Sequence, residues 1–169
     1  MAAQILFFFL ATVAIAAGLG MLLSKSPVSS ALWLVLNLFC IAGLYLTLNA
    51  EFIAVVQILV YAGAIMVLFL FVIMLLNLDA LPDIKNLGWG KIFGFVLGIS
   101  VLAMLCFVVA SSLDILPYAI SSGRAAEIGS APSLGIELFS KYALPLEIIG
   151  ILLLAATIGA VMIAKRKPV

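Results

Sequence analysis

The hydrophobic positions fall in long unbroken runs, with neither the strict alternation of barrel strands nor the single apolar stripe of a soluble helix. A helix needs roughly 20 mostly apolar residues to cross the hydrocarbon core of a bilayer. By that measure the pattern predicts five transmembrane helices, at about 2–23, 30–48, 52–76, 90–113 and 142–164. The first run has no basic n-region and is too long for a signal-peptide core, so it is read as a span. Polar residues collect between the runs. Residues 24–29 read SKSPVS, residues 49–51 form a tight hairpin, and 77–88 carry Asp79, Pro82, Asp83 and Lys85. The long connector, 114–141, is rich in Ser, Gly and Pro and reads as a cap for the bundle. Within it Leu134, Leu138 and Tyr142 recur every four residues, the spacing of a short interfacial helix. No internal repeat is visible, which disfavours an inverted-repeat transporter. Residues 1–169 are therefore read as a single transmembrane helical bundle, all-α and polytopic.

Composition reinforces this reading. The 169 residues are 67% hydrophobic and 9% charged, against about 45–50% and about 25% in soluble domains. That excludes a water-soluble enzyme domain, and it excludes disorder. A net charge of +1 supplies no field for nucleic acid. Of the eight Lys and Arg, Lys25, Lys85, Lys91, Lys165, Arg166 and Lys167 fall on one side of the predicted bundle, and Arg124 and Lys141 on the other. Cytoplasmic loops carry the excess of positive charge, so the N-terminus is expected outside and the C-terminus inside.

The chain contains no histidine, and Cys40 and Cys106 lie far apart in apolar runs. Zinc, iron–sulfur and ordinary haem sites lack their ligands, and no nucleophile–histidine pair is available. No catalytic, cofactor-binding or metal-binding residue is expected in this chain.

Small residues line helix faces at four-residue spacing. Gly90, Gly94 and Gly98 form a stripe on the fourth helix, where another helix can approach closely. The third helix carries the polar exceptions. Gln57 and Tyr61 are four apart and are expected on one face. Their polar atoms need partners inside lipid, either in ordinary interhelical hydrogen bonds or in a polar lining beside an ion path. Gly63, between Ala62 and Ala64, reads as a close helix contact or as a π-bulge or hinge. Glu147 reads as a helix-start acid, favoured by the dipole, or as a proton-relay acid. Glu51, Asp79, Asp83, Asp114, Glu127 and Glu137 read as solvated loop charges.

The run VVQILVYAGAIMVLFLFVIMLLNL at 55–78 resembles the third transmembrane helix of the subunit J family of bacterial NADH:quinone oxidoreductase (respiratory complex I), whose mitochondrial counterpart is subunit 6. VYAGAIMVLFLFVIM at 60–74 is the specific core of the likeness. SPVSSALWLVLNLFCIAGLYLTL at 26–48 and PLEIIGILLLAATIGAVMIAKR at 145–166 extend it more loosely. The resemblance implies a cofactor-free subunit in the membrane arm of a proton-translocating enzyme, located in the bacterial inner membrane. FMN, iron–sulfur clusters and quinone are then expected in other subunits, and the implied neighbours resemble subunits H, K, A and N. It further implies that the third helix carries a π-bulge around Tyr61, Ala62, Gly63 and Ala64. Interconversion of that bulge with regular α-helix would gate a water path from the quinone region toward the pumping subunits. Gln57 stands where some relatives have an acid, and an amide can hold water without releasing a proton. Glu147 matches an acid near the start of the last helix in relatives. Two other readings remain open: a subunit of a related cation/proton antiporter or membrane-bound hydrogenase, and a purely structural spacer.

Overall fold

The computed structural model describes residues 2–76, 88–112 and 121–165. All secondary structure among these residues is helical: α1 (Ala2–Leu23), α2 (Pro27–Thr47), α3 (Glu51–Leu75), α4 (Gly88–Ser112), α5 (Ser122–Ile128), α6 (Ala131–Ser140) and α7 (Ala143–Ala164). Five of these, α1, α2, α3, α4 and α7, are long and apolar enough to cross a membrane. At 1.5 Å per residue, about 20 residues give the roughly 30 Å required.

The start of α2 differs from the apolar reading, which placed it at residue 30. The helix begins at Pro27, because Ser26 is its N-cap and accepts a hydrogen bond from the Ser29 N–H at 3.1 Å. Proline fits the first helical position, where an N–H has no intrahelical partner anyway. A capped polar first turn is invisible to a hydropathy ruler. The Ser30 hydroxyl then donates to the Met21 carbonyl of α1 at 2.8 Å, tying the two helices at this end. Farther along, glycine notches let the pair close up. A Cβ added at Gly20 would stand 2.7 Å from the Trp33 ring, and one at Gly43 would stand 2.8 Å from Leu10.

Helix α2 ends in a Schellman motif. The Ala50 N–H donates to the Tyr45 carbonyl at 2.9 Å and the Asn49 N–H to the Leu46 carbonyl at 3.1 Å. Asn49 takes the left-handed conformation this closure requires, with φ 59°. Helix α3 starts immediately and runs back along α2. Ala31 of α2 meets Met66 and Ile73 of α3, with Leu34, Val35, Leu38 and Leu70 packed around them. Every buried residue among those described lies on α1, α2 or α3.

Of the connector expected at 114–141, the described part, 121–141, is mostly helical, made of α5 and α6. The spans on α4 and α7 contribute no buried residue. At the stripe expected to pack a helix, a Cβ added at Gly94 or Gly98 would meet none of the described residues within 4 Å. Gly90 lies on α4, but its surroundings are outside the described residues, as are Asp79, Asp83, Lys85, Asp114, Arg166 and Lys167.

Candidate functional site

Helix α3 is not one regular helix. Glu51–Val56 is α-helical, Gln57–Ile65 is π-helical, and Met66–Leu75 is α-helical again. At the end of the π segment the Met66 N–H donates to the Tyr61 carbonyl, five residues back. A π-turn holds one more residue than an α-turn, and such wide turns are rare and frequently fall at functional sites. The local sequence accommodates it. Gly63 lies between two alanines, and a Cβ added there would stand 3.2 Å from the Ile58 carbonyl oxygen, again five residues back. Without a Cβ, Gly63 leaves that contact unstrained.

The wide turn changes which residues face inward. The buried positions of α3 are Ala54, Gln57, Ala62, Met66 and Ile73. In an uninterrupted α-helix, residues three and four beyond Gln57 would share its face. Here the next buried residue is five beyond. The slip of one residue turns everything after it by about 100° relative to a regular helix. The expectation that Gln57 and Tyr61 share a face is therefore corrected. Gln57 is 8% exposed and Tyr61 is 49% exposed. Ala62 takes the inward place that regular spacing assigned to Tyr61. Gly63 is half-buried and Ala64 is exposed.

Gln57 is the one polar residue buried among those described. None of its side-chain amide atoms is both sealed from solvent and unpaired, and no described residue hydrogen-bonds to that side chain. It is a polar foothold inside an otherwise apolar seam. The seam beyond it, formed by Ala62, Met66 and Ile73, offers water no hydrogen-bonding side chain.

Glu147 is placed elsewhere. It is exposed on α7, just beyond the first turn, and the structure does not bring it into the buried face of α3. Glu51 is exposed at the start of α3. Among the described residues no three His, Cys, Asp or Glu side chains come together as metal ligands. Sequence reasoning missed Met66 as a seam residue, since its place depends on the slip. It also missed the junction of Asn49 with Gly129. Asparagine after an apolar run is a legible C-cap signal, but nothing local marks what Gly129 touches.

A protein-family model described as NADH-ubiquinone/plastoquinone oxidoreductase chain 6 matches residues 17–163. NADH-quinone oxidoreductase subunit J of Rhodobacter capsulatus is 36% identical over 166 residues, which covers 95% of this chain and 80% of that protein. NAD(P)H-quinone oxidoreductase chain 6 of Nostoc sp. (strain PCC 7120 / SAG 25.82 / UTEX 2576) is 38% identical over 163 residues, 95% and 78% of the two chains. NADH-quinone oxidoreductase subunit J of Rickettsia bellii (strain RML369-C) is 31% identical over 165 residues, 96% and 80% of the two.

Proposed function

The chain belongs to the NADH-ubiquinone/plastoquinone oxidoreductase chain 6 family, and from that premise we propose that α3 is the gate through which its complex couples quinone reduction to proton movement. Family and fold together make the chain a multi-pass membrane subunit of NADH-quinone oxidoreductase, assembled with the other subunits of that complex. The finer reading places it in a bacterial inner membrane with its N-terminus outside. FMN, iron–sulfur clusters and quinone then belong to other subunits, and α4 and α7 are covered by neighbours resembling subunits H, K, A and N.

The observation that carries the gate is the π segment, with its one-residue slip, beneath a buried amide. Two states of α3 follow from it. In the π state, Ala62 and Met66 face α2 and Tyr61 turns away, so the seam below Gln57 is apolar. If the segment tightens to α-helix, residues after it rotate back by about 100°. Tyr61 then joins Gln57 on one face, and amide and hydroxyl together can hold a file of water. Neither group has to ionise; the protons travel along the water. The two packings differ in one turn of hydrogen bonding and in which apolar side chains meet α2. An energy gap of a few kcal/mol between such states is small enough for an event at the quinone site to reverse.

The test is a one-residue deletion. Removing Leu59, which is exposed, takes away the extra residue of the wide turn. Met66 and Ile73 keep their places against α2, and α3 becomes regular in the closed arrangement. The complex is expected to assemble and to oxidise NADH with an artificial acceptor at the normal rate, while protons pumped per NADH fall severalfold. Normal pumping by the assembled variant would leave the chain as a spacer.

A further inference from the structure

We propose that Gly129 is a positioning residue that anchors the first turn of α3, so that the register slip is expressed in Met66–Leu75 rather than in Glu51–Val56; this rests on the gate reading above. A helix that changes from π to α must rotate one half against the other, and the half that turns is the half less firmly held. The Gln57 end is held by backbone. The Phe52 N–H is one of the first amides of α3, which have no partner inside the helix. It donates to the Gly129 carbonyl at 3.4 Å.

Gly129 stands so close to the turn before α3 that an added Cβ would overlap the Asn49 carbonyl oxygen and stand 3.2 Å from the Ala50 Cα. The φ of Gly129 is −78°, which any residue adopts. Its lack of a side chain therefore serves close approach and not conformation. Asn49 on the other side of the contact is itself locked by the Schellman closure. Beside this backbone junction, Ile53 of α3 shares a cavity wall with Leu134 of α6 and Ile128 of α5. Among the described residues, the far half, Met66–Leu75, meets α2 through apolar side chains, and these can exchange partners as the helix turns.

The experiment is hydrogen exchange on the intact complex in lipid nanodiscs, at rest and during NADH:quinone turnover. It compares wild type, Gly129→Ala and Gly123→Ala, the last a control at a site with nothing within 4 Å. In wild type and in the control, turnover is expected to change exchange in 66–75 and to leave 49–56 unchanged. In Gly129→Ala the Phe52 amide is expected to exchange roughly fivefold faster at rest, in line with the loss of one hydrogen bond. The turnover response should then spread into 49–56, and protons pumped per NADH should fall. If Gly129→Ala does not assemble, Leu134→Ala loosens the same junction without a clash and is expected to show the same spread. Equal responses of both segments in wild type would overturn the anchor and leave the gate standing. So would a variant pattern identical to wild type, or normal pumping despite the spread. No response to turnover in either segment of wild type would overturn the gate, and the anchor with it.

Discussion

In the α1–α2 hairpin the glycines face a neighbouring helix, whereas in α3 the glycine faces its own backbone. Gly20 receives the indole of Trp33 and Gly43 the end of Leu10. Gly63 meets the carbonyl of Ile58 within the same helix. Both regions are almost wholly apolar, and composition does not separate them. The hairpin uses missing side chains to bring two regular helices together. The third helix uses one to widen a turn, and in the proposed gate that wide turn exchanges with a regular one. Lipid strengthens this contrast. With no hydrophobic gain from burying apolar faces, close packing is what holds helices together, while a change in helix type that keeps every backbone bond made exposes nothing to lipid.

The comparison breaks first at Gly20. Valine there would have to displace a rigid indole lying 2.7 Å from the new Cβ. Overpacking of this kind costs about 1–3 kcal/mol. The yield of assembled complex after mild-detergent purification is expected to fall severalfold, and shrinking Trp33 to leucine in the same chain should restore much of it. Undiminished yield from Gly20→Val alone would show that the hairpin is looser than its geometry.

Gly63→Leu comes next, with the opposite signature. Its Cβ presses on the Ile58 carbonyl in the π state and is tolerated in a regular turn. Assembly should stay near normal, and NADH oxidation by artificial acceptors should be unchanged. Protons pumped per NADH should drop about fivefold or more, the effect of roughly 1 kcal/mol on a two-state balance. Lost assembly with coupling intact in the surviving complex would put Gly63 in the same class as Gly20.

The smallest effect sharpens the comparison on α4. A Cβ at Gly98 meets none of the described residues within 4 Å, so Gly98→Ala should leave the α1–α3 packing untouched. It should firm α4 by about 1 kcal/mol or less through helix propensity. Thermal unfolding of the chain purified alone checks this. If the isolated chain is unaffected but complex yield falls, a helix of another subunit occupies that notch.

Much of the fold was legible because crossing a membrane is a local property. A run of apolar residues of sufficient length predicts a span whatever lies beside it. The candidate site was legible only as a list. Gln57, Tyr61 and Gly63 stood out as polar or small residues in an apolar run, but regular spacing put Tyr61 beside Gln57, and the wide turn separates them.

Local sequence determined the five spans and the small-residue stretch at which α3 can widen. Tertiary structure alone decided which residues of α3 face α2, because a one-residue slip reassigns the whole face beyond it. It alone decided that the notches at Gly94 and Gly98 of α4 meet none of the described residues. It alone joined Gly129 to Asn49, because two backbones 80 residues apart meet through the shape of the folded chain, and a glycine with an ordinary φ carries no local sign of what it must let pass.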